Sequence, residues 1–245
     1  LEEAMLAGRI DLAVHSLKDL PTELPTGLRV GAICEREDAR DAFVARDGVR
    51  SFHDLPRGAI VGTSSLRRQA QLLAARPDLR LEPVRGNVDT RLRKLDAGDY
   101  DAIILAAAGL RRLGFADRIT EYLPEDFVLP AVGQGALAVE SRADDPRVDS
   151  IIRPLNHRDT RLACEAERAF LKGLGGGCLV PIAALGKVEG EELTLSGLVA
   201  RPDGSEIVRG QETGRSEDAE EVGRRLAEQL LQRGANRLLD KIGHE

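Results

Sequence analysis

The sequence predicts an α/β protein with two α/β lobes followed by a small C-terminal α+β domain. Over the first 150 residues, apolar runs that end at glycine, proline or polar clusters alternate with helical patterns. From about residue 157 the pattern changes to hairpin strands and an amphipathic helix. The predicted domain 1 comprises residues 1–35 and 135–153, domain 2 comprises residues 36–134, and domain 3 comprises residues 157–245.

Four strands are predicted in the lobes, at IDLAVHSL, AIVGTSS, RLEPVRG and DAIILAAAG. The last is almost entirely apolar, which is typical of a strand buried on both faces. Helices are predicted at SSLRRQAQLLAAR and NVDTRLRKLDAG. This alternation favours parallel sheets, with ligands bound beyond the carboxyl ends of the strands. The segments AGRIDLAVHSLKDL and AGDYDAIILAAAGL share four of 14 positions, which is weak support for two similar lobes.

Domain 3 is predicted to begin with a helix in NHRDTRLACEAERAFLKGL. The segment EELTLSGLVARPDGSEIVRGQETG alternates in polarity and turns at PDG, as a β-hairpin does. SEDAEEVGRRLAEQLLQRGANRLLDKI opens with Ser216 and acidic residues, which is typical of a helix start. Between the first helix and the hairpin, a glycine triplet is followed directly by Cys178.

The composition limits the classes of function. With 42% hydrophobic and 31% charged residues, and no run near the roughly 20 apolar residues of a membrane span, we expect a soluble protein with no membrane partner. No secretory signal opens the sequence. The sequence contains three widely spaced cysteines, an odd number that argues against a disulfide framework or a zinc site and favours a reducing cytoplasm. The four histidines show no metal-ligand spacing, so no metal site is predicted.

Charge is unevenly distributed along the sequence. The net charge is −6, yet residues 57–112 contain ten arginines and one lysine against six acidic residues. A basic segment in an acidic protein predicts a local anion site and not a general affinity for polyanions. Arginine binds carboxylates and phosphates in bidentate fashion, although genome composition would produce the same preference for arginine over lysine. Both explanations stay open at this point.

The first candidate anion site is AIVGTSSLRRQ, where a strand reaches Gly62 and Thr63 and Ser65 lead into a helix. A helix N-terminus attracts anions through its free N–H groups and partial positive charge. Arg67 and Arg68 in the first turn oppose the helix dipole, a cost that a bound anion would offset. The alternative is an ordinary helix cap with solvated arginines. The glycine spacing and lysine of a Walker loop are missing.

Two further strand ends bring arginines to the same predicted sheet edge: Arg85 and Arg91 flank a Gly-Asn turn, and Arg112 follows the buried strand. Each alone is more typical of surface charge than of ligand contact. Together they favour a ligand with several carboxylates, since each charge-assisted hydrogen bond contributes about 1.5–3 kcal/mol.

Two loops are ambiguous from their residues alone. In AVHSLKDLP, Ser16, Lys18 and Asp19 follow a strand, and a surface turn is the ordinary interpretation. Asp19 beside an arginine-rich cleft would repel an anionic ligand unless that ligand also carries a cation. LPAVGQGALAVE contains half of a dinucleotide fingerprint but lacks the third glycine and the following helix, so a hinge turn between the lobes is predicted.

These segments together resemble the porphobilinogen deaminase family, also called the hydroxymethylbilane synthases. The matching motifs are HSLKDLP, ICEREDARDAFV, GTSSLRRQAQL, RGNVDTRL, YDAIILAAAGLRRLG, LPAVGQGALAVE and ERAFLKGLGGGCLVPIA, in family order over essentially the whole sequence. The resemblance implies two lobes like those of periplasmic binding proteins, plus a third domain. It also implies a cytoplasmic, monomeric transferase of tetrapyrrole biosynthesis. Its reaction condenses four porphobilinogen molecules head to tail, with loss of ammonia, into the linear hydroxymethylbilane.

The resemblance also implies a dipyrromethane cofactor, held as a thioether by the cysteine of the Gly-Gly-Cys motif, here Cys178. Cys34 and Cys164 are then expected to be core residues. Loss of ammonia from the substrate creates a cationic azafulvene, and the resemblance assigns Asp19 to stabilise this charge at the pyrrole N–H. The other implied cofactor-binding residues are Ser16, Lys18, Asp19, Thr63, Ser65, Arg67, Arg68 and Asn87, and the implied substrate-binding residues are Arg67, Arg85, Arg91, Arg112 and Gln134.

Members of this family begin roughly 60–70 residues earlier, with a strand and an Arg-Gly-Ser loop that help form the active site. The opening segment LEEAMLAGRIDLAV has the pattern of a helix end running into a strand. We therefore expect the sequence to lack the first part of domain 1, including a substrate-binding arginine and lysine.

Two other interpretations fit part of the sequence. A non-enzymatic anion-binding module of the periplasmic type would also have two α/β lobes and an arginine-lined cleft. Such modules lack a third domain with a glycine-flanked cysteine and need an export signal. A nucleic-acid binder would use the basic segment, but 3% aromatic residues and no Trp provide few stacking platforms, and the overall acidity disfavours it.

Overall fold

Three β-sheets and their helices make up the part of the chain that the structure, a computed structural model, describes: residues 1–175 and 181–242. The strands are β1 (Leu12–Ser16), β2 (Leu28–Ile33), β3 (Asp41–Ala45), β4 (Ile60–Gly62), β5 (Arg80–Glu82), β6 (Ala102–Ala106), β7 (Glu121–Tyr122), β8 (Leu137–Arg142), β9 (Ile182–Glu189), β10 (Glu192–Ala200) and β11 (Ile207–Arg215). The helices are α1 (Glu2–Leu6), α2 (Leu66–Ala75), α3 (Val88–Asp96), α4 (Ala107–Arg112), α5 (Pro146–Ile152), α6 (Arg158–Gly173), α7 (Ala219–Leu230) and α8 (Asn236–Ile242).

The first two sheets form the two lobes. The first has the strand order β1-β8-β2, and the second has the order β5-β4-β6-β3-β7. The four strands predicted for the lobes are confirmed as β1, β4, β5 and β6, and the two predicted lobe helices as α2 and α3. The sequence-distant strand β8 therefore brings the chain back into the first sheet after the second has been built.

The prediction of parallel sheets is wrong for most strand pairs. Among the described strands, only β4 pairs in parallel, with β5 and with β6, whereas β8 is antiparallel to β1 and β2, and β3 is antiparallel to β6 and β7. Parallel neighbours need a crossover connection, usually a helix, which β4, α2, β5, α3 and β6 provide. The chain instead enters β3 and β8 directly from the other lobe, without a crossover helix in the same sheet. These strands can therefore pair in antiparallel fashion with their neighbours.

The second sheet is covered by apolar clusters on its two faces. One contains Phe43, Phe52 and Leu72, and the other contains Leu92, Ile103 and Leu105. Strand β6 alternates its side chains between these clusters, which explains its almost entirely apolar sequence. A sheet fixed on both faces gives a rigid base for the loops at its edge.

The third sheet has the order β11-β10-β9 and packs one face on α6 and α7. The predicted hairpin is confirmed, with β10 and β11 paired from Glu192↔Arg215 to Ala200↔Ile207. Helix α7 lies very close to α6: a Cβ at Gly223 would stand 2.2 Å from the Ala166 carbonyl oxygen. The predicted C-terminal helix is divided into α7 and α8, because Gly234 has φ +103° between them.

The opposite face of the third sheet packs against the second lobe. Leu185 and Leu198 of the sheet form a cluster with Ala70 of α2 and with Leu129, which lies between the two lobes. At the hairpin tip, a Cβ at Gly204 would lie 2.5 Å from the Ala70 carbonyl oxygen. Helix α2, which carries the candidate arginines, is therefore fixed from both sides. No helix in residues 1–175 or 181–242 is long and apolar enough to cross a membrane.

Candidate functional site

The candidate site lies where strand ends of the second lobe meet. Strands β4, β5 and β6 run in parallel, so their carboxyl ends share one edge of the sheet. The antiparallel strand β3 begins at the same edge, because Asp41 pairs with Ala106 at the end of β6. The segments that follow these strand ends carry most of the residues predicted to bind anions.

Helix α2 begins at this edge as predicted. Ser65 is its cap, and the Ser65 hydroxyl accepts a hydrogen bond from the Arg68 backbone N–H at 3.5 Å. The Thr63 hydroxyl accepts one from the Ser65 backbone N–H at 3.3 Å. The structure contradicts the alternative of solvated arginines, since Arg67 and Arg68 are 5% and 6% exposed. Their guanidinium groups point into the protein and not into water.

Both guanidinium groups bind the carboxylate of Asp41, a residue that the sequence analysis missed. Arg67 Nη1 donates to Asp41 Oδ2 at 2.7 Å, while Arg68 Nε and Nη2 donate to Asp41 Oδ1 at 3.0 and 2.7 Å. Burial alone would raise the pKa of the fully buried Asp41, but Arg67 and Arg68 outweigh it and hold this pKa well below its usual range. Asp41 therefore stays ionised and orients both arginines.

One carboxylate cannot neutralise two guanidinium groups, so the site keeps an excess positive charge. Arg67 Nε is buried and has no hydrogen-bond partner within the described residues. Burial lowers the pKa of Arg67, and Asp41 counteracts this. Buried donors without partners are costly, which makes a carboxylate ligand at this position favourable.

Lys18 adds a third cation to this region. Burial, and next the charge of Arg68, lower the pKa of Lys18 to about 8. The Lys18 ammonium group forms no side-chain hydrogen bond or ion pair with another residue in the described ranges. Arg91 also belongs to the group, because burial and then Arg68 lower its pKa. Since burial is the larger cause and the charge of Arg68 the next in both cases, a bound anion would favour the charged forms of Lys18 and Arg91.

The titration of Lys18 tests this description of the charges. We expect Lys18 to titrate near pH 8 without a bound anion, and at higher pH once carboxylates occupy the site. Because the folded state releases this proton before the unfolded state does, the Lys18 charge opposes folding below pH 8, and this cost disappears as the pH rises to about 10.5. NMR of the methylated lysines, with Lys18→Arg to assign the signal, measures it. A Lys18 titration near pH 10.5 would contradict the account.

Asp19 lies next to Lys18, and its charge favours the protonated form of Lys18. After β1 the chain forms a 3-10 turn, Leu17–Asp19, held by the buried Leu17 side chain. Arg168 of α6 fixes the end of this turn, with Nη1 donating to the Leu20 carbonyl at 3.2 Å and Nη2 to the Pro21 carbonyl at 2.6 Å. The Asp19 side chain is exposed and forms no bond to a described residue, so its carboxylate remains available for a ligand.

The turn before α3 contains candidate ligand-binding residues that are mostly exposed to solvent. Asn87 caps α3, with its Oδ1 accepting from the Thr90 N–H at 2.9 Å. Arg91 Nε donates to the Gly86 carbonyl at 2.7 Å, which fixes its direction. Arg85 and Asn87 are exposed, and no described hydrogen bond or ion pair fixes the Arg85 side chain. The structure thus groups Arg91 with the buried cations and leaves Arg85 at the surface.

Arg112 and Gln134 are bound to the segments between the lobes. Arg112 Nη2 donates to the Gly135 carbonyl at 2.6 Å. Gln134 is 1% exposed, and its amide donates to the Ala39 carbonyl at 2.7 Å and to Asp41 Oδ1 at 2.9 Å. The turn predicted between the lobes is present here, with Gly133 at φ +71° and Gly135 at φ +88°.

A second buried carboxylate, also missed by the sequence analysis, joins the lobes to domain 3. Glu167 of α6 accepts hydrogen bonds from the backbone N–H groups of Gly133 at 2.7 Å and Gly186 at 2.9 Å. It also forms an ion pair with Arg36 at 2.8 Å, and Arg36 contacts Cys164. Glu167 therefore fastens α6 to the turn at Gly133 and to β9.

The cysteines differ in burial and in their expected reactivity. Cys164 is buried, as expected for a core residue, and burial raises its pKa to about 12, so it is not a reactive thiol. Cys34 is only partly buried and packs beside Ala32 and Ile152. Cys178 lies outside the described residues. Over the described ranges, no group of three His, Cys, Asp or Glu side chains is placed to hold a metal ion.

Comparisons with known proteins give a consistent result. Residues 1–150 match the family model described as "Porphobilinogen deaminase, dipyromethane cofactor binding domain", and residues 161–232 match "Porphobilinogen deaminase, C-terminal domain". The chain is 54% identical to the porphobilinogen deaminase of Geotalea uraniireducens, over 99% of this chain and 76% of that protein. It is also 54% identical to that of Pelotomaculum thermopropionicum, over 100% of this chain and 78% of that protein.

Among solved structures, the chain is similar to the second substrate binding domain of a putative amino acid ABC transporter from Streptococcus pneumoniae. That match covers 71% of each chain, with 14% identity and a TM-score of 0.42.

Proposed function

This chain belongs to the porphobilinogen deaminase family, and we propose that Asp19, Lys18 and the arginines around Asp41 form its active site. The function is that of a transferase. Four porphobilinogen molecules condense head to tail, each losing ammonia, to give the linear tetrapyrrole hydroxymethylbilane. The cofactor of the family is dipyrromethane.

The observation that carries the site proposal is the uncompensated positive charge beside one buried carboxylate. Arg67 and Arg68 share Asp41, Lys18 has a depressed pKa, and Arg67 Nε has no partner among the described residues. Every porphobilinogen unit carries an acetate and a propionate group. A growing chain of such units therefore supplies the carboxylates that this cluster lacks.

These residues fit a dipyrromethane with its four carboxylates. Lys18, Arg67 and Arg68 would hold the carboxylates, assisted by Ser16, Thr63, Ser65 and Asn87. When bound to Cys178 as a thioether, dipyrromethane supplies a free pyrrole α-carbon as the nucleophile to which substrates are added. The cysteine follows three glycines, which lets the backbone approach the bulky adduct closely.

We assign the catalytic role to the Asp19 carboxylate. A positive charge develops on porphobilinogen as ammonia leaves, and a carboxylate next to the pyrrole N–H stabilises it. The rigid 3-10 turn and the contacts of Arg168 to Leu20 and Pro21 hold Asp19 in place before the reaction, as electrostatic preorganisation requires. This role also explains an acidic residue beside a basic cleft.

The remaining arginines are proposed to bind the substrate and the growing chain. Arg91 is already close to the Arg67–Arg68 pair, whereas Arg85 and Arg112 would reach added units at the rim. We also propose the domain limits 1–35 with 135–153, 36–134 and 157–245, which agree with the strands of the three sheets. A monomer in the cytoplasm is proposed from the resemblance and from the odd, widely spaced cysteines.

Cysteine replacement tests the attachment site. We expect Cys178→Ser to lack covalently bound dipyrromethane and to have no turnover, because a hydroxyl is a much weaker nucleophile than a thiolate. The matched control is Cys34→Ser, which should keep both. Intact mass and the colour reaction of pyrroles with an acidic aldehyde reagent measure cofactor content. A Cys178→Ser protein that still carries two pyrrole units would disprove the attachment.

A further inference from the structure

Two chain segments join the lobes and touch each other beside the active site. The outgoing segment, residues 34–40, connects β2 to β3, and the returning segment, residues 123–136, connects β7 to β8. The Glu37 N–H donates to the Gly135 carbonyl at 3.2 Å. A Cβ at Gly135 would stand 2.4 Å from the Glu37 carbonyl oxygen, so this close approach requires glycine.

Gln134 fastens the returning segment to the outgoing one. Its Nε2 donates to the Ala39 carbonyl at 2.7 Å and to Asp41 Oδ1 at 2.9 Å. Both amide hydrogens are therefore used inside the protein, and the side chain is 1% exposed. Gln134 has no free donor with which to recognise a ligand carboxylate.

Asp41 connects this contact to the anion-binding arginines. Its Oδ1 accepts from both Gln134 and Arg68, and Arg67 Nη1 bridges Asp41 and the Leu129 carbonyl of the returning segment at 2.7 and 2.8 Å. A ligand carboxylate at either arginine shares the guanidinium charge with Asp41 and repels the Asp41 carboxylate, even where it binds N–H groups that Asp41 does not use. The hydrogen bonds of Asp41 that fasten the two segments are weakened as a result.

We propose that Gln134 is a positioning residue that latches the two inter-lobe segments through Asp41, and that carboxylates bound at Arg67 and Arg68 loosen this latch. This departs from the substrate-binding role that the family resemblance implies for Gln134. It rests on the proposed function for the identity of the anion. The consequence is that the position of the lobes depends on how many carboxylates the site holds.

The test uses Gln134→Met, which keeps the volume but loses the hydrogen bonds, and Gln134→Glu, which repels Asp41 when ionised and has one O–H donor in place of two N–H donors when protonated. Gln211→Met is the control, because Gln211 is exposed on β11 and its amide donates to Ser196 Oγ of β10. In the holoenzyme, both Gln134 variants should speed hydrogen exchange in peptides covering residues 34–41 and 129–136 by roughly tenfold, the size expected from one or two lost hydrogen bonds. The kcat should fall by a similar factor, with KM for porphobilinogen within about twofold.

Porphobilinogen itself provides the second arm of the test. Adding it to the unmodified holoenzyme should speed exchange in the same peptides, and this response should disappear in the Gln134 variants. A KM at least about tenfold higher with unchanged exchange would overturn the proposal and make Gln134 a substrate ligand. Unchanged exchange and kinetics in the variants, no response to porphobilinogen, or failure of both variants to fold would also overturn it, because the latch acts on the lobes and does not maintain the fold.

A wrong assignment of the proposed function can be distinguished from a wrong assignment of the Gln134 latch. If the proposed function is wrong, the unmodified protein itself would show no turnover of porphobilinogen. The comparison of hydrogen exchange between unmodified protein, Gln134 variants and Gln211→Met does not depend on turnover, so the latch would still be judged on its own.

Discussion

Asp19→Asn should lower kcat by about 10²–10³-fold while the covalent dipyrromethane is retained. The reason is that asparagine keeps the size and the hydrogen-bonding oxygen but loses the negative charge that opposes the developing cation, and removing one preorganised electrostatic group typically costs this much. The exposed carboxylate forms no hydrogen bond or ion pair with a described residue, so folding should be unaffected. Porphobilinogen consumption gives kcat, and intact mass gives cofactor content.

Asp117→Asn is the matched control for this variant. Asp117 is also exposed and also lies in a three-residue 3-10 helix, Ala116–Arg118, away from the arginine cluster. Its replacement should leave kcat within about twofold. Normal turnover in Asp19→Asn would remove Asp19 from the mechanism, and loss of dipyrromethane from that variant would make its role structural.

Asp41→Asn should reduce the free energy of unfolding by about 3–5 kcal/mol at pH 7, because it leaves the buried guanidinium groups of Arg67 and Arg68 without a compensating charge. Urea unfolding measures the change. The control is Asp96→Asn, since Asp96 forms an ion pair with Arg118 at the surface, where such pairs contribute about 0–1 kcal/mol. Equal effects of the two substitutions would contradict the importance of the buried cluster.

The destabilisation caused by Asp41→Asn should depend on pH in a defined direction. The pKa of Asp41 is lower in the folded state than the usual value near 3.8, so its contribution to stability is fully present above that value and is lost as the pH falls below it. The difference in unfolding free energy between the unmodified protein and Asp41→Asn should therefore be constant between pH 5 and 7 and shrink below about pH 4. A difference that grew on acidification would show that Asp41 is not an ionised partner.

Local features of the sequence were sufficient to predict the helices and strands around the site. Ser65 and Asn87 are caps whose side-chain type marks the helix start, and the apolar run before Ala106 marks a buried strand. These signals depend on neighbours within a few positions. They place Thr63, Ser65, Arg67 and Arg68 correctly at the sheet edge.

The partners of the arginines could not be predicted in this way. Asp41 is 26 residues from Arg67 and 93 from Gln134, so their contact depends on the order of strands in the second sheet. The direction of these strands was mispredicted as parallel, because the crossings between the lobes that make β3 and β8 antiparallel to their neighbours have no periodic signal. The only available hint was an aspartate at the first position of the apolar strand DAFVA, where a charge must find a buried partner.

The central claim is that a pyrrole chain is built on Cys178 and neutralised by the arginine cluster. Intact mass spectrometry of the purified protein, before and after incubation with porphobilinogen and followed by peptide mapping, tests it most directly. The account predicts an initial excess of two pyrrole units on the peptide that contains Cys178, then further steps of one pyrrole unit each. An unmodified mass that porphobilinogen does not change, or an adduct on Cys34 or Cys164, would contradict it.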